Sequence, residues 1–381
     1  MPGHETKKVH PLISINQHSL CYFPLPWYFP RSTRGTMLIG LCGGICSGKN
    51  AVAEYLTQHQ NFRRLEVKSG TPPQAADDLR LQASGLTDDA TDQVTPLQFE
   101  TTGSLLEFAT KRWQEHWVTT HIWDASTLDR FIQRPFFLLV SVDAPVSLRW
   151  KRFADRCRRR RLEPPHLEEF VLWNDKQLYE KSVGHALITD RAQVRLFNPS
   201  PSLDELHGAL KALNLADEQR LRPNWDQYFM ELASLAAQRS NCMKRRVGCV
   251  LVRERRVIST GYNGTPRHLK NCNEGGCPRC NRGEGGGVGL STCLCLHAEE
   301  NALLEAGRER IREGAILYCD TCPCLTCTVK IAQVGISEVV YSQGYNMDHN
   351  SAEILDAAGI RLRQFSPTRN GLIYLEGPGQ R

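Results

Sequence analysis

No stretch of the chain approaches the roughly 18 to 20 consecutive apolar residues that a membrane-spanning helix requires, which excludes a helical membrane protein. The apolar segment at residues 21–30 is broken by Pro24, Pro26 and Pro30, so it lacks the unbroken apolar core of a secretory signal. Acidic side chains are missing from residues 6–53, as in a basic leader, yet the four Lys/Arg of residues 6–36 make only a weak transit peptide. Residues 1–36 therefore read as a disordered extension, with Met37 opening the first folded unit. Cysteine is nearly absent from residues 47–241, where Cys157 stands alone, whereas 11 of the 15 fall between Cys242 and Cys327. Sulfur chemistry is thus confined to the C-terminal part. Without a secretory signal, metal binding in an intracellular compartment, cytoplasmic or also nuclear, is a better expectation than a disulfide network. With 41% hydrophobic and 23% charged residues among 381, the chain is no disordered polymer and is long enough for more than one domain.

From Met37 the order is strand (LIGLC), glycine-rich turn (GGICSGKN), then helix over about residues 51–58. Gly43, Gly48 and Lys49 fit the G-x-x-x-x-G-K frame, whose backbone N–H groups cradle phosphates while the lysine meets their charge. Position 50 is Asn, where a hydroxyl that holds Mg²⁺ is expected. Residues 69–102, rich in Pro, Gly, Thr, Ala and Asp, read as loop, and 136–142 as a second strand. Eight Lys/Arg between Arg149 and Glu163 concentrate the whole net charge of +6 in one stretch. Such a stretch can grip nucleic acid, cover a triphosphate, or simply be a solvated helix face. Residues 37–215 resemble the phosphate-loop kinases of small metabolites, dephospho-coenzyme A kinase being nearest in layout. Besides the loop, the strand ending Val142-Asp143-Ala144-Pro145 and the arginine-rich helix after it carry that resemblance. Asn50 points to a retired kinase fold kept for nucleotide binding or packing.

Residues 203–213 look like a last helix before a proline-bounded linker at 216–223. Trp225, Phe229, Leu232 and Leu235 then recur at helical spacing, and 247–252 with 256–260 suggest a β-hairpin. After a Gly/Cys-rich insertion, helices at 298–306, 324–333 and 351–358 alternate with strands at 315–319, 339–342 and 360–365. Alternation of this kind argues for a sheet covered by helices on both faces.

Two motifs fall at predicted helix starts: His297-Ala298-Glu299 and Pro323-Cys324-Leu325-Thr326-Cys327. H-x-E means little alone, since composition gives about 0.75 chance occurrences and His166-Leu167-Glu168 is a second copy. P-C-x-x-C is expected only about 0.03 times, and its order after H-x-E is that of the zinc deaminases of nucleobases. Three N/S ligands, His297, Cys324 and Cys327, would hold Zn²⁺ and leave one tetrahedral position for water. Glu299, two residues past a ligand, can reach that water without binding the metal. It would take the water proton, deliver it to the ring nitrogen and protonate departing ammonia. Cys272, Cys277, Cys280, Cys293 and Cys295 crowd the insertion before His297, and a glycine-rich loop of this kind buries too little apolar surface to order itself. A second, structural zinc would supply what packing does not.

The segments VGCVLV, GYNGTPRHLKNC, CLHAEENALLEAG, LYCDTCPCLTC, GISEVVYS and AGIRLRQF together resemble the deoxycytidylate (dCMP) deaminases, in the fungal form with a kinase-like N-terminal half. The resemblance spans about residues 224–367. It implies an enzyme that converts dCMP to dUMP for thymidylate synthesis, assembled as a homohexamer, activated by dCTP and inhibited by dTTP. It implies nucleotide contacts from Asn263, Asn301 and Tyr345. Some members of the family carry a structural zinc, with ligands at positions matching Cys242, Cys272 and Cys295; the resemblance leaves the fourth ligand unassigned, and Cys280 is preferred here over Cys277 or Cys293. The expected fold is thus α/β, with a phosphate-loop NTPase-like parallel sheet at 37–215, a linker, a three-layer α/β/α cytidine-deaminase-like domain at 224–367 and a tail at 368–381. Neither a membrane nor nucleic acid is expected as partner. The alternatives are a tRNA or other polynucleotide deaminase, and a nucleotide kinase with an accessory zinc module.

Overall fold

The computed structural model describes residues 36–68, 95–180, 184–283, 285, 288–344, 348–366 and 371–375. The extension expected at 1–36 lies outside the described residues except for Thr36. Strand β1 (Leu38–Cys42) forms where five uncharged residues run together. An apolar run, rather than alternation, is what burial on both faces demands. Ile39 and Leu41 pack on one side with Val52, Leu56 and Leu210, while Leu38 and Cys42 pack on the other with Leu105, Trp117 and Phe131. The same sheet contains β2 (Arg63–Val67), β3 (Leu97–Phe99), β4 (Trp117–Thr119), β5 (Phe137–Asp143), β6 (Val194–Phe197) and, from the far end of the sequence, β12 (Gly371–Tyr374). Its order is β12-β6-β5-β1-β4-β2-β3, and every pairing is parallel.

Two expectations are corrected here. Within the loop expected at 69–102, Leu97–Phe99 is a strand against β2, and Thr101 caps a helix by accepting from Ser104 N at 3.1 Å. A three-residue strand has no period to read. The tail expected at 368–381 contains β12, paired with β6 from Gly371↔Val194 to Tyr374↔Phe197. Four residues at a sheet edge carry little apolar signal, and their anchors are distant in sequence: Leu375 is buried beside Leu196 and Leu210, and its N donates to Phe197 O at 2.9 Å.

The second sheet comprises β7 (Gly248–Arg253), β8 (Arg256–Tyr262), β9 (Ile316–Thr321), β10 (Glu338–Gln343) and β11 (Arg361–Gln364), in the order β11-β10-β9-β7-β8. Strand β7 is antiparallel to β8 and β9, whereas β9, β10 and β11 are mutually parallel. The period-2 pattern of GCVLVR sorts the layers. Val250 and Val252 face Phe229, Met230 and Ala233 of the helix Trp225–Ala237. Cys249 and Leu251 face Ala298, Ala302 and Ile331, from the helices Ala298–Ala306 and Leu325–Val334 on the other side. Gly261 lets the first of these approach β8, since a Cβ there would lie 2.1 Å from Ala298 O. Among the described residues, no helix is long and apolar enough to cross a membrane.

Candidate active site

Two helix N-termini converge where the second sheet meets its outer helix layer. His297 is the N-cap of Ala298–Ala306 and Cys324 that of Leu325–Val334, both in extended backbone. Helix starts gather unpaired N–H groups and the positive end of the dipole, which favour a thiolate. The two helices are tied by Lys330 Nζ on Glu300 Oε1 at 2.6 Å. Ser351 Oγ, fully buried, donates to Pro323 O at 2.9 Å and fixes the backbone just before Cys324.

His297 Nδ1 lies 3.2 Å from Cys324 Sγ and 3.4 Å from Cys327 Sγ. All three donor atoms fall within 4.8 Å of one another. Two ligands at about 2.1 and 2.3 Å from one tetrahedral ion stand about 3.6 Å apart, so one His and two Cys in this arrangement fit zinc. Hydrogen bonds from Cys327, then His297 and Thr326, outweigh burial and bring the Cys324 thiol down to about 3. Its hydrogen bond to Cys324 raises His297 to about 8, and Cys327 is pushed up by the same neighbour and by burial. Glu299, only 4% exposed, is raised to about 7 by burial, with His297 opposing and Cys324 and Asp320 reinforcing the rise. A carboxyl near neutrality is suited to both taking and giving a proton.

The remaining expected residues divide. Asn263 Oδ1 accepts from Ser240 Oγ at 2.7 Å and Val247 N at 2.9 Å, and its Nδ2 donates to Arg245 O at 2.7 Å. Asn301 Nδ2 donates to Tyr262 O at 2.8 Å, tying the Glu299 helix to β8. Tyr345 lies outside the described residues. Cys242, Cys272, Cys280 and Cys295 bring their sulfurs within 4.8 Å of one another, and Cys277 with Cys293 joins Cys280 and Cys295 in a second such group. Cys319 is buried opposite Cys249 in the β7–β9 register, and burial with their mutual hydrogen bond places both among the core sulfurs. Sequence reasoning missed Ser351 and Asp320, whose Oδ2 accepts from Gly248 N at 3.1 Å; neither belongs to a local motif.

In the glycine loop after β1, Gly43 (φ 139) and Gly48 (φ 108) both occupy the left-handed region, where side chains are strained. Lys49 Nζ donates to Gly43 O at 2.6 Å and Gly44 O at 2.8 Å, and burial lowers its pKa to about 8. Arg152 Nη1 meets Cys46 O and Ser47 O at 3.3 and 3.4 Å, so two cations of this region serve the loop's own carbonyls.

The family model described as "Cytidine and deoxycytidylate deaminase zinc-binding region" matches residues 223–343. Deoxycytidylate deaminase of Schizosaccharomyces pombe is 48% identical over 336 residues, 88% of this chain and 99% of that protein. Deoxycytidylate deaminase of Saccharomyces cerevisiae is 50% identical over 279 residues, 71% of this chain and 88% of that protein. Among solved structures, dCMP deaminase from the cyanophage S-TIM5, in complex with dCMP and dUMP, is 28% identical, covering 38% of this chain and 98% of that one at a TM-score of 0.32.

Proposed function

The chain belongs to the deoxycytidylate deaminases, and from that premise we infer that it hydrolyses dCMP to dUMP and ammonia at the His297/Glu299/Cys324/Cys327 site. The observation that carries the reading is the closeness of one imidazole and two thiols at paired helix starts, with a buried carboxyl two residues past the imidazole. His297, Cys324 and Cys327 hold zinc, which when bound supplies a water whose pKa falls toward about 7. Glu299 does the proton work: its carboxylate accepts a proton from water, hands it to the pyrimidine ring nitrogen, and later protonates the leaving ammonia.

Asn301 Oδ1 has no hydrogen bond among the described residues and is the acceptor left to meet a hydroxyl of the nucleotide, while its Nδ2 holds β8. Asn263 keeps one amide hydrogen for the same purpose, and Tyr345 is the residue proposed to meet the phosphate. The reading extends to a homohexamer activated by dCTP and inhibited by dTTP, to residues 224–367 as the catalytic domain, and to residues 37–215 as a kinase-like fold without kinase activity. Asn50 in place of a hydroxyl and a Lys49 ammonium committed to loop carbonyls support that last point.

Ammonia release tests the reading directly. The full chain should act on dCMP, with activity rising on dCTP and falling on dTTP. Glu299→Gln should keep its zinc and its fold while losing about 10²- to 10⁴-fold in rate. Full activity in Glu299→Gln removes the mechanism.

A further inference from the structure

The insertion between β8 and His297 is pinched at its neck, where Gly264 N donates to Leu296 O at 3.2 Å and Leu296 N to Gly264 O at 2.8 Å. Inside it, with Cys242 reaching in from outside, lie six sulfurs, more than one tetrahedral ion can use. We propose that they form a binuclear zinc–thiolate cluster, two ions held by six cysteines, with Cys280 and Cys295 each bridging both.

The sulfurs sort into two tetrads. Cys242, Cys272, Cys280 and Cys295 lie within 4.8 Å of one another, and so do Cys277, Cys280, Cys293 and Cys295. The tetrads share one edge, Cys280 to Cys295, whose Sγ atoms are 3.9 Å apart. The edges on either side agree: Cys242 to Cys280 is 3.8 Å, Cys280 to Cys293 is 3.8 Å and Cys277 to Cys293 is 3.9 Å. A disulfide needs about 2.0 Å, so none of these contacts is one. Two sulfurs each about 2.3 Å from a tetrahedral zinc stand about 3.8 Å apart, which is the separation found on both sides of the shared edge.

A single ion in the first tetrad leaves Cys277 and Cys293 without a metal, although a buried cation, Arg279, is turned toward Cys293. This guanidinium is 7% exposed, donates from Nε to Val288 O at 2.7 Å and points Nη1 at Cys293 Sγ at 3.8 Å. A cation that cannot deprotonate is costly to bury against a neutral thiol, whereas a thiolate ligand is its natural counter-charge. Six thiolates on two dications leave an excess of two negative charges, which Arg279 partly offsets. Backbone N–H groups serve the outer sulfurs: Met243 N reaches Cys272 Sγ and Leu294 N reaches Cys277 Sγ, each at 3.4 Å. Cys295, a bridging ligand, stands two residues before His297. The cluster therefore fixes the backbone that presents the catalytic imidazole, and it does so whether or not the substrate is dCMP.

Zinc stoichiometry of the full chain, by native mass spectrometry and metal analysis, tests the proposal. Three zinc ions per chain are expected, one at His297/Cys324/Cys327 and two in the cluster. Zinc-edge X-ray absorption should show metal–metal scattering. The double variant Cys277→Ser/Cys293→Ser, which strips the second tetrad alone, should bind two ions and lose that scattering. Two ions per chain in the unaltered protein, or scattering that survives the double variant, overturns the cluster. If the double variant does not fold, the count and the scattering of the unaltered protein decide alone. Neither result touches the deaminase reading, which stands or falls with ammonia release in Glu299→Gln.

Discussion

Asn301 sits four residues past His297 with its amide nitrogen committed to Tyr262 O and its carbonyl oxygen toward no partner among the described residues. Two effects of Asn301→Ala are therefore expected together: a loss of about 1 kcal/mol in urea unfolding, and a rise in KM for dCMP. A stability loss with KM unchanged would leave Asn301 as a positioning residue only. Gly261 acts on the same helix by absence, because an added Cβ would meet Ala298 O at 2.1 Å and Ala302 N at 2.5 Å. Gly261→Ala should destabilise by about 1 to 3 kcal/mol and lower kcat, since the helix that must shift carries Glu299; thermal unfolding and steady-state rates check both. At this scale short spacings on helix starts single out His297, Glu299, Cys324 and Cys327, and the structure brings the donor atoms of His297, Cys324 and Cys327 together and buries Glu299. The hydrogen-bond partners of Asn263 and Asn301 could not be read, because they are backbone groups and a hydroxyl brought up from other parts of the chain. Nor could spacing decide among Cys277, Cys280 and Cys293: which sulfurs share an ion is a property of space.

Elements are held together by charge as well as by apolar packing. Arg363 on β11 donates from Nη1 and Nη2 to Asp226 at 2.8 and 3.0 Å and from Nε to Glu338 Oε1 at 2.9 Å, and Tyr318 OH donates to Asp226 Oδ1 at 2.8 Å. The network clamps β9, β10 and β11 to the start of the helix Trp225–Ala237. Replacing Arg363 with Met strands the buried carboxylate of Glu338 against fewer partners, and a loss of about 3 kcal/mol is expected by chemical denaturation. Burial alone would raise the Asp226 pKa, but the hydrogen bonds from Arg363 and Tyr318 outweigh it and hold the group below its ordinary value. The unfolded chain then binds the proton first. This contribution is complete above the ordinary carboxylate range near about 4 and is lost as pH falls through the depressed folded value. Urea midpoints followed from pH 5 downward should fall less steeply in Asp226→Asn than in the unaltered protein. Strands β1, β5 and β7 to β11 were legible as apolar runs or alternations. Strands β3 and β4, of three residues each, and β2, with the sequence RRLEV, offer no such pattern, and sheet pairing rather than local preference makes them strands.

For the molecule as a whole, the glycine loop with Lys49 lies with the first sheet and the His297, Cys324 and Cys327 cluster with the second. Lys49→Ala should leave dCMP deamination unchanged, and neither form should make ADP from ATP; a Lys49-dependent ADP signal would restore an active kinase to the N-terminal part. The division is not a clean one along the sequence, because β12 lies against β6 while the whole five-stranded sheet falls between them. On the ribosome, chains acquire structure from the N-terminus onward. Here β6 must wait with one edge open until the deaminase sheet has been made and residues 371–375 have left the exit tunnel. A stop codon just before Gly371 would then spare every residue of the zinc site, yet release a protein with an unfilled strand position and a bare Leu196–Leu210 surface. Such truncated chains should associate through that edge and be cleared by quality control, so a nonsense change far from the catalytic centre would lower enzyme abundance without altering its chemistry.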